Sequence, residues 1–526
     1  MSTGESTRRH LLLPMQPTPN GRMHIGHAAG PYLRADALAR RLRRDGSQVQ
    51  VITGTDVYEN WILVEALQSN ETPEQTCTRL HGLIAQDLAN LNVDLDAWIN
   101  PLTPDHAGAY RHIHEQLVEE LRRAGTAKLV AERVPRSAAS GRYVVGVWIL
   151  GRCPECGSDV AGNSCVRCGA GFQPAEILEP RSRLDEGELR WTHEDSWFVD
   201  PGNTESILAN LAETGLDDEF LSIARRHLHR SGTSVRLSQP GDWGLRSPLV
   251  SERCVLTNTF YSYCLYCAQV STAIRGEEGN DLDRDSATHV VALFGKDNAG
   301  IGLVAPYVIS SCSDRYRGFD TLAVNHLLSF EGSKCSTSKR HGIWVSELIE
   351  GSSITGDELR YCLSHLPLED ELCSLAMAEL VRHVNRLRDL DANRVQTALA
   401  TAGAEHAPAL LDAAITQTER QAEQLDPSHV RMTEATTILD RWLERPDVDL
   451  ASAAQARSWL TGVTLLAAPV TPVFAGRVWT ELGLRGSPRT AAARQTSPTT
   501  PERVGPRPHA QLSEVAALAH IGSDAA

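Results

Sequence analysis

Two Cys-x-x-Cys pairs, Cys153-Pro154-Glu155-Cys156 and Cys165-Val166-Arg167-Cys168, are separated only by residues 157–164. Thiolates at that spacing converge on a tetrahedral zinc ion, and four of them leave no open position for a substrate, so the predicted role is structural. His24-Ile25-Gly26-His27 stands where a Pro/Asn/Gly loop, Gln16 to Gly21, turns into a helix. Unpaired N–H groups at a helix start favour anions, and two histidines three residues apart share one face of the first turn. Gly26 is read as letting a ligand lie against the backbone. An isolated histidine pair is by default an ordinary one; here the flanking Pro19-Asn20-Gly21 and Ala28-Ala29-Gly30 strengthen the signal for phosphate. Residues 332–340, Gly-Ser-Lys-Cys-Ser-Thr-Ser-Lys-Arg, carry three cations on a Gly/Ser loop. Such a loop is either a solvated basic segment or one that offsets concentrated phosphate charge.

These groups need a frame. Residues 10–15 read as a buried strand, residues 24–44 as a helix, and residues 49–52 as a second strand closed by Thr53-Gly54-Thr55-Asp56. Strand, loop, helix, strand opens a parallel α/β sheet. Sheet-like sequence returns at residues 289–294 and 322–324, after an irregular stretch that holds the four cysteines. Helices are expected from about Asp357, the last strong one over 458–484. The arginines at 34, 40, 41, 43 and 44 are read as a solvated helix face, and the Cys264-x-x-Cys267 pair, set among aromatics, as packed and inert.

Taken in order, the His24-to-His27 turn and the 332–340 loop resemble the HIGH and KMSKS signatures of class I aminoacyl-tRNA synthetases. Together with Thr53-Gly54-Thr55-Asp56, Gly295-Lys296-Asp297 and Asp357-Glu358-Leu359-Arg360-Tyr361, they resemble methionyl-tRNA synthetase in particular, over roughly residues 10–485. The resemblance implies an α/β class I synthetase fold: a Rossmann-type parallel sheet split by a zinc-binding insertion and followed by an all-α helical bundle. It implies a catalytic domain over 1–115 and 246–330, an insertion with the zinc knuckle over 116–245 and a KMSKS-like and stem-contact region over 331–370. An anticodon-binding-like bundle over 371–485 and a mobile tail over 486–526 complete the expected layout. It further implies that ATP, with Mg2+, is a substrate. His24, His27 and Lys334 would be catalytic; Pro19, Asn20, Gly26, Gly295, Asp297, Ser336 and Lys339 would bind ATP. Asp56 would receive an α-ammonium, with Thr18 and Gly302 beside the substrate; a helix-capping aspartate is the alternative for Asp56.

The sequence also departs from that family. Thr18 replaces an aromatic residue, Gly302 replaces a histidine, Val57-Tyr58-Glu59 follows Asp56, and the Trp-Leu-Asp-Ala-Pro segment has no counterpart near residues 258–266. Cys335 and Thr337 occupy the second and fourth places of the KMSKS-like loop. The helix at 384–390 lacks the family's Asn/Arg pattern, and Pro446 is followed by Asp447 where a base-stacking Trp is expected. These changes point away from methionine and away from tRNA.

The 526-residue chain is 41% hydrophobic and 22% charged, with net charge −15 and 12 cysteines, a balance expected of a cytoplasmic globular protein of several units rather than a membrane protein or a polyanion binder. The reading that follows is an ATP-dependent ligase that activates an amino acid or related carboxylate. It would pass the acyl group to a small nucleophile such as an N-hydroxylated amine, in specialised, antibiotic-type metabolism. Hydrazine synthetases, in which a methionyl-tRNA-synthetase-like domain works with a cupin, give the resemblance its precedent; a cupin-type partner here would be a separate chain. The alternatives are methionine–tRNA ligation and a catalytically silent binding protein.

Overall fold

The computed structural model describes residues 8–165, 167–168, 170–257, 259–298, 300–335, 342–493 and 510–513. Five strands form a parallel sheet: β1 (Arg9–Pro14), β2 (Gln48–Gly54), β3 (Ala97–Ile99), β4 (His289–Gly295) and β5 (Thr321–Asn325), in the order β5-β4-β1-β2-β3. Runs such as Leu11-Leu12-Leu13 and Val290 to Phe294 are buried on both faces, as a helix-covered parallel sheet requires. The chain leaves β1 toward β2 on one side, and β4 and β5 fill the other. The order therefore reverses at β1, where an open α/β sheet leaves a crevice beyond the strand ends.

Residues 24–44 do not form one helix. A helical turn, Ile25–His27, passes through a wide turn, Ala28–Tyr32, into helix α1 (Leu33–Arg44). Pro31 lacks an amide proton and Gly30 adopts a non-helical ψ of −106°, which breaks the regular ladder. The arginines of α1 are not a solvated face either. Arg34 and Arg44 are buried, donating to the carbonyls of Val430 and Ala323 and to Gln421 and Leu465. Arg40 pairs with buried Asp36, and Arg43 with Asp94 and Asp96. Helix α2 (Pro104–Arg123) covers the sheet beyond β3.

The intervening segment contributes a long antiparallel pair, Ala127–Ser137 with Leu189–Val199, and a small sheet that carries the cysteines. After β5 come β6 (Leu328–Phe330), β7 (Ser333–Lys334) and β8 (Cys373–Leu375), with β6 between the other two. The rest is helical: α3 (Gly356–Leu363), α4 (Met377–Leu390), α5 (Met432–Leu443), α6 (Ala453–Ala467) and α7 (Pro472–Glu481), with shorter helices between. The expected single helix over 458–484 is two, interrupted before Pro472. Of the expected mobile tail, residues 510–513 pack on α4: Leu512 is buried, and its amide and carbonyl bond the Asn385 side chain at 2.8 and 2.9 Å. Cys264 and Cys267 are buried as expected. Among the described residues no helix is long and apolar enough to cross a membrane.

His10 and His289 face each other across β1 and β4, ring centroids 5.5 Å apart. Burial, then the neighbouring imidazole, lowers His10 to about 4, and burial lowers His289. Both are held neutral by the fold and titrate near 6.5 when unfolded, so their contribution is complete above about pH 6.5 and declines as the pH falls, that of His10 being lost toward about 4. The melting temperature should drop across that window, and His10→Gln should flatten the drop; an unchanged slope would refute it.

Candidate active site

The loops that leave the C-terminal ends of β1, β2 and β4 meet at the switch point. The Asp56 amide donates to the Pro17 carbonyl at 3.0 Å, tying the loops after β2 and β1, and the Met15 amide donates to the Leu293 carbonyl of β4 at 2.9 Å. Pro19 is buried, with Thr18 and Asn20 half-buried beside it.

His24 caps its own turn. Its Nδ1 accepts from the amides of Gly26 and His27 at 3.1 and 3.3 Å, so in the neutral ring the proton sits on Nε2. The rings of His24 and His27 stack with centroids 3.8 Å apart and 13° between planes. A Cβ on Gly26 would come within 3.0 Å of the His24 ring. Gly26 is thus small for the imidazole that folds over it, a closer reason than the ligand approach inferred from sequence.

The basic loop is fixed at both ends. Before it, β7 pairs with β6, Ser329 opposite Lys334. After it, residues 343–345 pair with residues 23–25: the Ile25 amide donates to Ile343 O at 3.0 Å, the Val345 amide to Met23 O at 2.9 Å, and His24 bridges Trp344. Cys335 is buried with Met23, Ile25, Leu328 and Ile343, so a thiol at that place of the motif fills core. The backbone of Lys334 is thus placed by β6, and that of residues 343–345 by the His24 turn. Ser336 and Lys339 lie outside the described residues.

Asp297 is exposed just past β4, with its Oδ1 2.8 Å from where a Gly295 Cβ would stand. Gly302 is buried, and a Cβ there would meet the Phe294 ring at 2.7 Å; a histidine has no room. Sequence reasoning missed Asn325 at the end of β5. It is 4% exposed, its Nδ2 donates to the His326 carbonyl, and its Oδ1 is buried with no hydrogen-bond partner among the described residues. Its Nδ2 lies 3.0 Å from where a Gly30 Cβ would stand, so Gly30 was the signal that a polar group approaches the backbone there.

Asp56 stands beside a shell of tyrosines. Tyr110 packs at 5.4 Å on Tyr263, 5.2 Å on Tyr266 and 6.1 Å on Tyr58, and His106 Nδ1 lies 2.8 Å from the Tyr266 hydroxyl. Burial first, and the Asp56 charge among its neighbours, raise Tyr110 and Tyr263 far above the usual phenol. These hydroxyls stay protonated donors. Thr55 Oγ1 lies 2.9 Å from His81 Nδ1, and burial lowers His81 to about 4, so its ring is neutral. A carboxylate among uncharged phenols can receive an ammonium group.

Apart from this crevice, the Sγ atoms of Cys153, Cys156, Cys165 and Cys168 lie within 4.8 Å of one another, with Cys153–Cys168 at 3.7 Å and Cys156–Cys165 at 3.6 Å. Tetrahedral zinc with sulfur at about 2.3 Å has edges of about 3.8 Å, so the set fits the ion. Hydrogen bonds from the Ser158 hydroxyl and amide pull the Cys156 thiol down to about 6, toward the thiolate a metal needs, whereas burial raises Cys153 and Cys168. The ion would cross-link the two turns and take no part in the crevice. Purified protein should carry one zinc per chain, and chelation should make residues 149–182 the first protease target; a metal-free chain with that segment intact would refute it.

Residues 15–397 match the family model described as tRNA synthetases class I (M). Methionine–tRNA ligase of Pyrobaculum islandicum is 24% identical over 514 residues, covering 91% of this chain and 90% of that one. That of Chlorobium luteolum is 26% identical over 379 residues, 68% of this chain and 52% of the relative, so the match spans about half of that longer protein. Among solved structures, Mycobacterium tuberculosis methionyl-tRNA synthetase bound by methionyl-adenylate superposes with a TM-score of 0.69 at 18% identity, covering 95% of this chain and 99% of that one. Its free form gives 0.64 at 17% identity. The sheet, the helical region after it and the matched length lead to one conclusion: this chain belongs to the methionyl (M) group of class I tRNA synthetases, a family of ATP-dependent ligases.

Proposed function

We propose that the chain activates an amino acid as its adenylate and passes the acyl group to a small nucleophile, an N-hydroxylated amine being the fitting class. The observation that supports the first step is the backbone seam between residues 23–25 and 343–345, which sets the segment that follows the basic loop against the phosphate-type turn. The substrate carboxylate attacks the α-phosphorus of Mg-ATP in line. His24, from Nε2, and His27 offset the phosphate charge, Lys334 the departing pyrophosphate, and Asn325 and Asp297 face the nucleoside. Asp56 takes the α-ammonium. Catalysis is positioning and electrostatics, with no covalent enzyme intermediate.

The tyrosine shell supports a side chain that tolerates hydroxyl donors over a thioether, since each unmatched polar contact weakens discrimination. The bundle supports an acceptor other than tRNA. Arg386 is spent on Asp440 and Glu444, Asn385 on Leu512, and Arg388 on Glu358 and the Ala510 carbonyl. Trp442, Trp459 and Trp479 are all buried, which leaves none of them to stack on an anticodon base. Methionine–tRNA ligation is the second reading, supported by the relatives' own names and by the 90% coverage of the Pyrobaculum chain. Pyrophosphate exchange across a panel of amino acids, followed by transfer to tRNA or to hydroxylamines, separates the two. Exchange with methionine and charging of tRNA would overturn the small-acceptor reading; no exchange with any acid would overturn both.

A further inference from the structure

Asp56 owes its place to the loop that carries it, and that loop is held by a side chain from far along the chain. The Val57 amide donates to the Thr55 carbonyl at 3.0 Å, which turns the backbone around Asp56. The Val57 carbonyl then accepts from the indole Nε1 of Trp243 at 3.1 Å, 186 residues further on. The Cys77 thiol, 3.7 Å from the same carbonyl, is a second and weaker donor. Burial first, then the charge of Asp56, pushes that thiol up to about 12, so it stays protonated and the carboxylate acts on this same seam. Trp243 is half-buried and packs on two clusters: Val57 with Ile62 and Cys77, and the one built around Trp148 and Cys153. Its ring lies 6.1 Å from that of Tyr58, which in turn stacks on Tyr110. Gly244 lets the chain place the indole there. At φ +147° it lies against Val255, where a Cβ would come within 2.4 Å of the valine side chain.

We propose that Trp243 is a positioning residue of the amino-acid site. Its indole N–H fixes the Val57 carbonyl so that Asp56 meets the α-ammonium, and its ring sets Tyr58 and with it one wall of the tyrosine shell. The role in substrate binding rests on the ligase reading above; the hold on the loop does not. Trp243 acts only through Asp56 and Tyr58. A bound ammonium needs its carboxylate placed to within about 0.5 Å, and a buried carbonyl that loses its main donor shifts to find another. Loosening this loop therefore weakens binding of the amino acid, while the phosphate chemistry at His24 and His27 proceeds as before once the site is filled. The effect falls on KM and on the choice between acids, with kcat spared.

Trp243→Phe keeps an aromatic ring between the two clusters and removes the N–H. In pyrophosphate exchange with the acid that works best in the panel above, it should raise KM for that acid about tenfold, the worth of one positioned hydrogen bond, and change kcat and KM for ATP less than about twofold. Its preference for that acid over the next best should shrink. Trp243→Tyr, which fills more of the site and also lacks the N–H there, should show the same split if the phenylalanine variant folds poorly. The control is Trp197→Phe, which deletes a matching indole bond, to the Leu249 carbonyl at 3.1 Å, and should leave all these values at wild type. Amide hydrogen exchange at residues 55–58, followed without substrate, should quicken about tenfold in Trp243→Phe and stay unchanged in Trp197→Phe. Equal KM shifts at the two tryptophans, a fall in kcat at constant KM, or unaltered amide exchange at 55–58 would overturn the positioning role even where pyrophosphate exchange is robust. If no acid supports exchange in the wild type, the ligase reading fails and with it the substrate role. Faster amide exchange in Trp243→Phe would then still show that the indole holds the loop.

Discussion

His24→Ala should slow adenylate formation by a factor of a hundred or more, the loss typical of removing one preorganised donor to a developing phosphate charge. The same substitution strips a helix cap, because Nδ1 of His24 accepts from two amides, and caps contribute about 1 kcal/mol. His24→Asn separates the two effects. Asparagine caps well but is too short to reach as far as Nε2, so it should restore the melting temperature and leave pyrophosphate exchange depressed. Wild-type exchange in His24→Asn would show that the residue is only a cap. His27→Ala, which leaves that cap acceptor in place, should slow exchange to a similar degree.

The second large effect is on the junction between the sheet and the bundle. Asp36 on α1 is fully buried, with its Oδ2 2.6 Å from Arg360 of α3 and 2.7 Å from Arg40, and its Oδ1 accepting from the Asp94 amide at 2.9 Å. Burial alone would raise this carboxyl; the two guanidiniums outweigh it and hold it below its ordinary value. Arg360 also donates to the carbonyls of Leu91, Pro469 and Val470, so one side chain joins the sheet to the loop between α6 and α7. Asp36→Ala leaves two guanidiniums without their counter-charge, one of them wholly buried, which costs about 3–5 kcal/mol. Calorimetry should show a lower melting temperature, with the helical region unfolding apart from the sheet. A single transition within a degree of wild type would contradict this.

Asp36 also shows where the sequence stopped being legible. The strands at 10–15, 49–52, 289–294 and 322–324 were readable because parallel strands are continuous apolar runs bounded by turn residues. The four cysteines were readable because ligand spacing is local. The arginines of α1 were not, because their partners Asp94, Asp96, Gln421 and Val430 arrive from far along the chain, and a charge run looks the same whether it faces water or buried acceptors. Asn325 and the tyrosine shell escaped notice for a similar reason: Tyr58, Tyr110 and Tyr263 come from three segments and meet only in the fold. Leu512 was hidden in a Pro/Thr/Ser/Ala-rich stretch whose composition argues for mobility, although one apolar residue with two matched amide bonds is enough to seat it.

The two ends of the basic loop are not equivalent. Its trailing end is held by a ladder rung on either side of His24, whereas its leading end hangs on a two-residue hairpin at Glu331 and Gly332, both with positive φ. Replacing Gly332, whose φ of +78° few side chains accept, should therefore disturb only the leading hairpin and leave the seam at His24 in place.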